Sequence, residues 1–259
     1  MNDTAKIGIV TVVLNAEKTI ENTIKSVKDQ NYKNIIHLII DGGSNDNTHN
    51  VILLNEHEKM DFQIRPGLGL YESMNYGIKL LMNKVDLIGF LNADDFLCNQ
   101  NVLGYIVQRH SFSDILMSAV NIVDIDNLNN SLRTFNPVGN KFLQSMCILS
   151  PHPGFYVSTT ILKKISNPYY DPKAGPGADI VWMMKLLKNT KKTESINIIS
   201  VCMRDGGISN DGIISKVSLH IKLYKYVYGN FWLIFVPFIF IIKLNRLIIQ
   251  KRRSYKLNH

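Results

Sequence analysis

Over the first hundred residues, near-continuous apolar runs alternate with segments whose apolar positions recur at helical spacing. Ile7–Leu14, Ile35–Ile40 and Asp86–Leu91 are short runs rich in Val, Ile and Leu, which predicts strands buried on both faces of a parallel sheet. Between the first two, Ile20, Ile24 and Val27 fall at i, i+4, i+7, predicting a helix from Ala16 to about Asn31 with Asn15 as its cap. A second helix is expected from about Asp46 to Glu58, a short strand at Phe62–Arg65, and a third helix over Leu70–Met82 with Met74, Ile78 and Leu81 on one face. Strands alternating with helices predict an α/β fold, a mostly parallel central sheet flanked by helices and wound right-handedly.

Beyond residue 100 the rhythm weakens. A helix is expected at Asn101–His110, an extended segment at Ile115–Ile125 and a polar loop at Asp126–Ser131. Residues 132–180 read as loop-rich, with Pro137, Pro151, Pro153, Pro168, Pro172 and Pro176. A helix follows Asp179 through Trp182, Met183, Leu186 and Leu187, and Ile196–Met203 reads as a strand.

The last segment differs from the body. Phe231–Ile242 is apolar apart from Pro237, and Lys243–Arg253 mixes apolar and basic positions. The apolar run is shorter than the roughly 20 residues needed to span a bilayer. With Tyr224, Tyr226, Tyr228 and Trp232 before it, residues of about 220–256 suggest an amphipathic helical tail lying on an anionic membrane surface. The other reading is a C-terminal helix docked on the core with a solvated basic end. The expected division is 1–211 for the body, with halves of about 5–100 and 101–211, and 212–259 for the tail.

Charge supports that division. The chain of 259 residues has a net charge of +8, yet nine of its 29 Lys and Arg residues lie after Asp211, where there is no Asp or Glu. The body is close to neutral and lacks the diffuse basic surface that a nucleic-acid partner requires. Cys98, Cys147 and Cys202 are few and widely spaced, so neither a zinc pattern nor a disulfide framework follows. They read as packed small hydrophobes in a reduced, cytosolic setting. The polar stretch Met1–Lys6 leads into a strand and does not resemble a secretory signal.

The candidate chemistry sits where strands end. Asp41, in Asp41-Gly42-Gly43-Ser44, and Asp94-Asp95, in Leu91-Asn92-Ala93-Asp94-Asp95, follow buried strands, and strand carboxyl ends form the ligand crevice of an open α/β sheet. Asp94 and Asp95 suit a hard divalent cation that bridges to a diphosphate. Asp41 suits a hydrogen bond from a nucleobase imide, and Gly42 and Gly43 let a flat base approach the backbone. Asp179 suits a general base for an acceptor hydroxyl, with partial burial raising its pKa. Each has a plainer reading: Asn92 and Asp95 capping the helix near residue 100, Asp41 in a strand-to-helix turn, and Asp179 as an N-cap. His152, in Pro151-His152-Pro153-Gly154, is a candidate for acceptor or diphosphate and otherwise a structural histidine.

Taken in order, these segments resemble glycosyltransferase family 2, the inverting enzymes of GT-A fold, and most nearly its bacterial surface-polysaccharide branch. The resemblance covers about residues 5–210. It is carried by Thr11-Val12-Val13-Leu14-Asn15, Ile39–Asp46, Gly69-Leu70-Tyr71-Glu72-Ser73-Met74-Asn75-Tyr76-Gly77, Gly89–Asp95, His152-Pro153-Gly154-Phe155, Ala178-Asp179 and Arg204–Ser209. It implies a nucleotide-sugar pocket lined by Val13, Asn15, Asp41, Gly43, Ser44, Asn75, Asn92, Ala93 and Asp94. It further implies Mn2+ or Mg2+ on Asp94 and Asp95, Asp179 as catalytic base, and Arg204 with His152 near the diphosphate or acceptor. The implied donor is a UDP-sugar, and the implied acceptor a lipid-diphosphate-linked saccharide at the cytoplasmic face of a bacterial inner membrane, in O-antigen or capsule synthesis.

Two departures from the pattern stand out. Asn92 begins the acidic motif in place of Asp. In Arg65-Pro66-Gly67-Leu68-Gly69 the family's acidic and basic positions are replaced by Arg65, Gly67 and Leu68, which leaves donor identity open. Two other functions fit less of the chain. A nucleotidyltransferase would carry a glycine-rich phosphate loop near the first strand, and Leu14–Lys18 has no glycine. A non-catalytic sugar-nucleotide-binding or scaffold protein would not need Asp179.

Overall fold

A computed structural model describes residues 4–206 and 213–233. The chain opens with β1 (Ile7–Val13), α1 (Ile20–Lys28), β2 (Ile35–Asp41), α2 (Thr48–Leu54), β3 (Met60–Ile64), α3 (Leu70–Leu81) and β4 (Leu87–Phe90). These strands pair in parallel, in the spatial order β3-β2-β1-β4. The helices are shorter than the periodicity suggested, because polar side chains take over their ends. Asn15 does not cap α1: it adopts a left-handed backbone (φ 52) and its Oδ1 accepts the Asn45 N–H at 2.9 Å. Asp46 Oδ1 accepts the Thr48 N–H at 3.0 Å, so α2 begins only at Thr48.

The second half continues with β5 (Phe96–Leu97), α4 (Val102–His110), β6 (Ile115–Val123), β7 (Ser131–Phe135), α5 (Lys141–Ser145), β8 (Phe155–Ser158), α6 (Thr159–Lys164), α7 (Ala178–Lys188), β9 (Thr193–Arg204) and α8 (Ile213–Tyr228). Here the sheet is mixed. β8 pairs antiparallel with β4 and β6, β7 with β6, and β5 with β9, while β6 and β9 run parallel. The expected loop over 132–180 is instead a chain of short elements. Its prolines fall in 3-10 turns at His152–Gly154 and Pro172–Gly177 or between elements, where a missing N–H breaks no ladder.

The strands bury both faces, as their apolar runs require. Val10, Leu38, Ile40, Ile88 and Phe90 meet α3 and α7 on one side. Ile7, Ile9, Leu87 and Leu91 meet Val27 of α1 and Leu103, Ile106 and Val107 of α4 on the other. Neighbouring positions of one strand go to opposite clusters, as the two-residue period demands. Each fully buried Ile or Leu contributes roughly 1.5–3 kcal/mol.

One expectation is corrected. Cys98 and Cys202 are not isolated packed thiols but form a disulfide with Cα atoms 5.4 Å apart, while Cys147 is buried outside that bridge. The cause is the pairing of β5 with β9, which sets Phe96 opposite Cys202 and so brings Cys98 to Cys202 across a sequence separation of 104. The start of the segment 212–259 is docked on the body: Leu223 and Tyr224 of α8 are buried with Val138, Met146, Ile148 and Met184. Among the described residues no helix is long and apolar enough to cross a membrane. The apolar and basic run Ile234–His259 lies outside the described residues.

Candidate active site

Three strand ends converge. Val13 closes β1 and is itself buried; its carbonyl accepts the Gly42 N–H at 3.0 Å. Asn15 and Ser44 face each other across the gap between β1 and β2, the Ser44 Oγ accepting the Asn15 N–H at 2.8 Å. Gly43 has φ 104, and a Cβ there would press on Pro66 at 3.2 Å, so the turn after β2 is shaped for glycine and sealed by the 65–69 loop. That loop is fixed to the turn by Arg65 N–H to Asp41 O (2.7 Å) and Gly67 N–H to Gly42 O (3.2 Å). The Arg65 guanidinium lies over the Tyr76 ring and donates to its hydroxyl at 2.6 Å.

Asp41 is wholly buried. Its Oδ1 accepts the N–H groups of Gly43 and Ser44, both at 2.7 Å, and the Ser44 hydroxyl at 3.0 Å; its Oδ2 meets His49 Nε2 at 2.5 Å. The carboxylate expected to face a base is therefore capped by a histidine that sequence reasoning passed over. His49 sits on α2, eight residues beyond Asp41, and no helical or strand period links the two positions.

After β4, Leu91–Asp95 turns tightly. Thr23 of α1 holds it by donating to the carbonyls of Ala93 (3.0 Å) and Asp95 (2.6 Å). The two acids are unlike. Asp95 is 1 % exposed and its Oδ2 accepts from Asn92 Nδ2 at 2.8 Å. Burial, with the neighbouring Asp94 charge, pushes its pKa up to about 8, so it carries a proton at neutral pH. Asp94 is half-exposed. Arg204, at the end of β9, donates to the Asp94 carbonyl and lies over the Phe96 ring. Burial lowers the Arg204 pKa, and Asp94 and Asp95 oppose that shift.

Among the described residues no three His, Cys, Asp or Glu gather as a metal cluster. The donors present fit a hard cation that takes one carboxylate, Asp94, and completes its shell from substrate phosphate and water. Asp95, protonated and turned inward, holds the shape of the turn. Of the segment Arg204–Ser209, Gly207, Ile208 and Ser209 lie outside the described residues.

Asp179 lies in the first turn of α7. It keeps partial exposure, and its Oδ1 accepts the Ile180 N–H at 2.8 Å. The protein packed around the carboxyl pushes its pKa up to about 6 against the pull of the Ile180 and Asp179 amides. One turn later Trp182 stacks on Tyr170, ring centroids 4.4 Å apart, and meets Phe90 at the end of β4 edge-on at 5.7 Å. The aromatic stack thereby sets the start of α7 against the end of β4. His152 is part of this wall and not of an open pocket: it is buried, its Nε2 is 2.7 Å from Tyr170 Oη, and desolvation lowers its pKa to about 4. Asn75, expected to face the nucleotide-sugar, uses both ends of its amide on the Tyr170 backbone, at 2.7 and 2.9 Å.

Residues 8–167 match the model of Glycosyl transferase family 2. An uncharacterized glycosyltransferase of Mycobacterium tuberculosis strain H37Rv is 26% identical over 189 residues, 71% of this chain and 70% of that protein. One of Haemophilus influenzae is 30% identical over 110 residues, 40% of this chain and 43% of that protein. Among solved structures, S. aureus TarS 1-349 in complex with UDP-GlcNAc superposes with a TM-score of 0.65 at 16% identity, covering 86% of this chain and 65% of that one. The mannosyltransferase PcManGT from Pyrobaculum calidifontis, with GDP-Man and Mn2+, gives 0.62 at 11% identity, covering 86% and 65%. The chain thus spans less than two thirds of these structures, and at such identity the likeness is one of fold.

Proposed function

The chain belongs to glycosyl transferase family 2, and on that premise we propose that it moves a hexose or N-acetylhexosamine from a UDP-sugar to a hydroxyl of a lipid-diphosphate-linked saccharide, inverting the anomeric centre. The observation that carries this reading is Asp179: a partly exposed residue whose carboxyl, its pKa raised to about 6 by the protein packed around it, is fixed at the start of α7 against the end of β4. Ionised, it takes the proton of the acceptor hydroxyl as that oxygen attacks the anomeric carbon and the diphosphate leaves. Asp94 and Arg204 lie together at the end of β4, where the charge on the departing diphosphate would be met. Mn2+ or Mg2+ bound there would supply further charge neutralisation.

The donor reading is supported by the UDP and UDP-GlcNAc complexes named for TarS. PcManGT, named with GDP-Man, makes GDP-mannose the competing donor to test. The lipid acceptor and a place at the cytoplasmic face of a bacterial membrane, in O-antigen or capsule synthesis, rest on the apolar and basic sequence from Phe231 to Arg253. The test is nucleotide release from a panel of UDP-sugars and GDP-mannose with Mn2+ and a synthetic diphosphate-lipid acceptor, for wild type and Asp179→Asn. The reading expects release with one UDP-sugar, and in the mutant a loss of turnover far greater than any loss of UDP affinity. UDP binding without release from any donor would favour a sugar-nucleotide-binding protein.

A further inference from the structure

The segment that carries Asp179 is held by α3, an element of the other half of the molecule. Tyr71 and Asn75 stand four residues apart, one above the other on the same helix face. Asn75 grips the backbone of Tyr170 at both ends: its Oδ1 accepts the Tyr170 N–H at 2.7 Å and its Nδ2 donates to the Tyr170 carbonyl at 2.9 Å. The Tyr71 hydroxyl donates to the Pro176 carbonyl at 3.0 Å, three residues before Asp179, and its ring stacks on Tyr170 at 5.6 Å. Desolvation, together with the nearby Asp179 charge, raises the Tyr71 pKa, so the hydroxyl remains a donor at neutral pH. The second gripped point lies within the 3-10 turn Pro172–Gly177, where Gly175 adopts φ 64.

The near end of α3 is tied to the donor side. Glu72 accepts the Gly69 N–H at 2.7 Å, which starts the helix directly after the 65–69 loop. That loop is bonded in turn to Asp41 and Gly42. A continuous set of contacts therefore runs from the nucleotide turn, through α3, to the backbone that leads into the candidate base.

We propose that Tyr71 and Asn75 form a two-point clamp that positions Asp179 relative to the donor pocket, Asn75 serving as a positioning residue and not as a ligand of the nucleotide-sugar. The inference rests on the reading of Asp179 as general base. A clamp of this kind acts on turnover and leaves nucleotide affinity alone, since a misplacement of about 1 Å at the reacting groups costs on the order of 100-fold in rate.

The test uses the full chain with Tyr71→Phe, Asn75→Asp and Asn75→Ala. Tyr71→Phe removes one hydroxyl, and Asn75→Asp keeps the bond to the Tyr170 N–H while losing the donor to its carbonyl. Amide exchange of residues 170–181 should speed up in each variant, with residues 35–64 unchanged. In the UDP-release assay kcat should fall by roughly 10- to 100-fold for Asn75→Ala and less for the other two, with the UDP dissociation constant within about twofold of wild type. The acid limb of the kcat–pH profile should move toward the ordinary carboxylate range as water reaches Asp179. A parallel loss of UDP affinity would make Asn75 a donor ligand and overturn the clamp, as would unchanged exchange of 170–181. Should the wild type release no nucleotide from any donor, the transfer reading fails, while amide exchange still decides whether the clamp exists.

Discussion

His49 Nε2 lies 2.5 Å from Asp41 Oδ2, and the pair closes the carboxyl end of β2: the Asp41 side chain is 0% exposed, that of His49 34%. The carboxylate also organises the Gly43-Ser44 turn through three hydrogen bonds to its other oxygen. Asp41→Ala leaves the Gly43 and Ser44 N–H groups without their acceptor and should cost at least about 1–3 kcal/mol. His49→Ala leaves three of the four contacts and should cost about 1–3 kcal/mol. Urea unfolding of the two variants measures both. Equal stability of Asp41→Ala and wild type would show that the turn does not depend on the carboxylate.

The raised pKa of Asp179 fixes the sign of the pH response. A general base works only when ionised, so kcat should be full above about pH 7 and fall as the pH drops through about 6. An ordinary carboxylate would place that limb near pH 4. A profile flat from pH 5 to 8 would remove Asp179 from the role.

The parallel half was legible because its apolar runs sit in strands buried on both faces, where continuity is the signal. Asp41 and Asp94 stood out as candidates for the same reason, one ending such a strand and the other in the turn that follows one. The second half hides its elements. β5 has two residues, β8 four and α5 five, below the length at which periodicity can be read. The contacts of Asn75 and His152 were not legible because each bonds to Tyr170, 95 and 18 residues away, and no local spacing encodes such a partner. Tyr71 was within reach of the sequence as the i−4 neighbour of Asn75, once a shared helix face was asked to do more than bury itself.

The Cys98–Cys202 bridge closes a long loop, with a sequence separation of 104. In the chain-entropy view such a cross-link stabilises by about 4–5 kcal/mol. It also joins β5, which follows the Asp94-Asp95 turn, to β9, which ends at Arg204. Thiol titration of the denatured protein should find one thiol before reduction, that of Cys147, and three after. Reduction should lower the melting temperature. Three thiols without reductant would mean that the two cysteines remain unlinked in the purified protein.

Gly177 precedes the Ala178-Asp179 step, and a Cβ there would lie 2.9 Å from Leu223 Cδ1 of α8. Gly177→Ala forces that leucine, buried at 2% exposure, to move. Overpacking of this kind typically costs 1–3 kcal/mol, so a loss of about 1 kcal/mol is expected for a single methyl. Combined with Leu223→Ala it should cost less than the two single changes added together, because the methyl then has room. Failure of the second change to help would place the defect in the backbone and not in the contact.

Asp94 and Asp95 are adjacent in sequence and opposite in chemistry, and substitution should separate them. Asp95 is protonated at neutral pH, so asparagine, close to it in shape and likewise neutral, should preserve the turn and its bond from Asn92. The sign of the linkage follows: because the folded-state pKa is raised to about 8, the wild type loses stability as pH rises from about 4 to about 8. Asp95→Asn lacks that loss, and its advantage over wild type should be larger at pH 9 than at pH 5. Asp94 is the half-exposed carboxylate at this turn, and Asp94→Ala should leave stability nearly unchanged. Mn2+ binding in the presence of UDP, followed by titration calorimetry, should be lost in Asp94→Ala and retained in Asp95→Asn. The reverse result would place the cation on the inner carboxyl, and with it the proton that Asp95 holds at pH 7 would have to leave on binding.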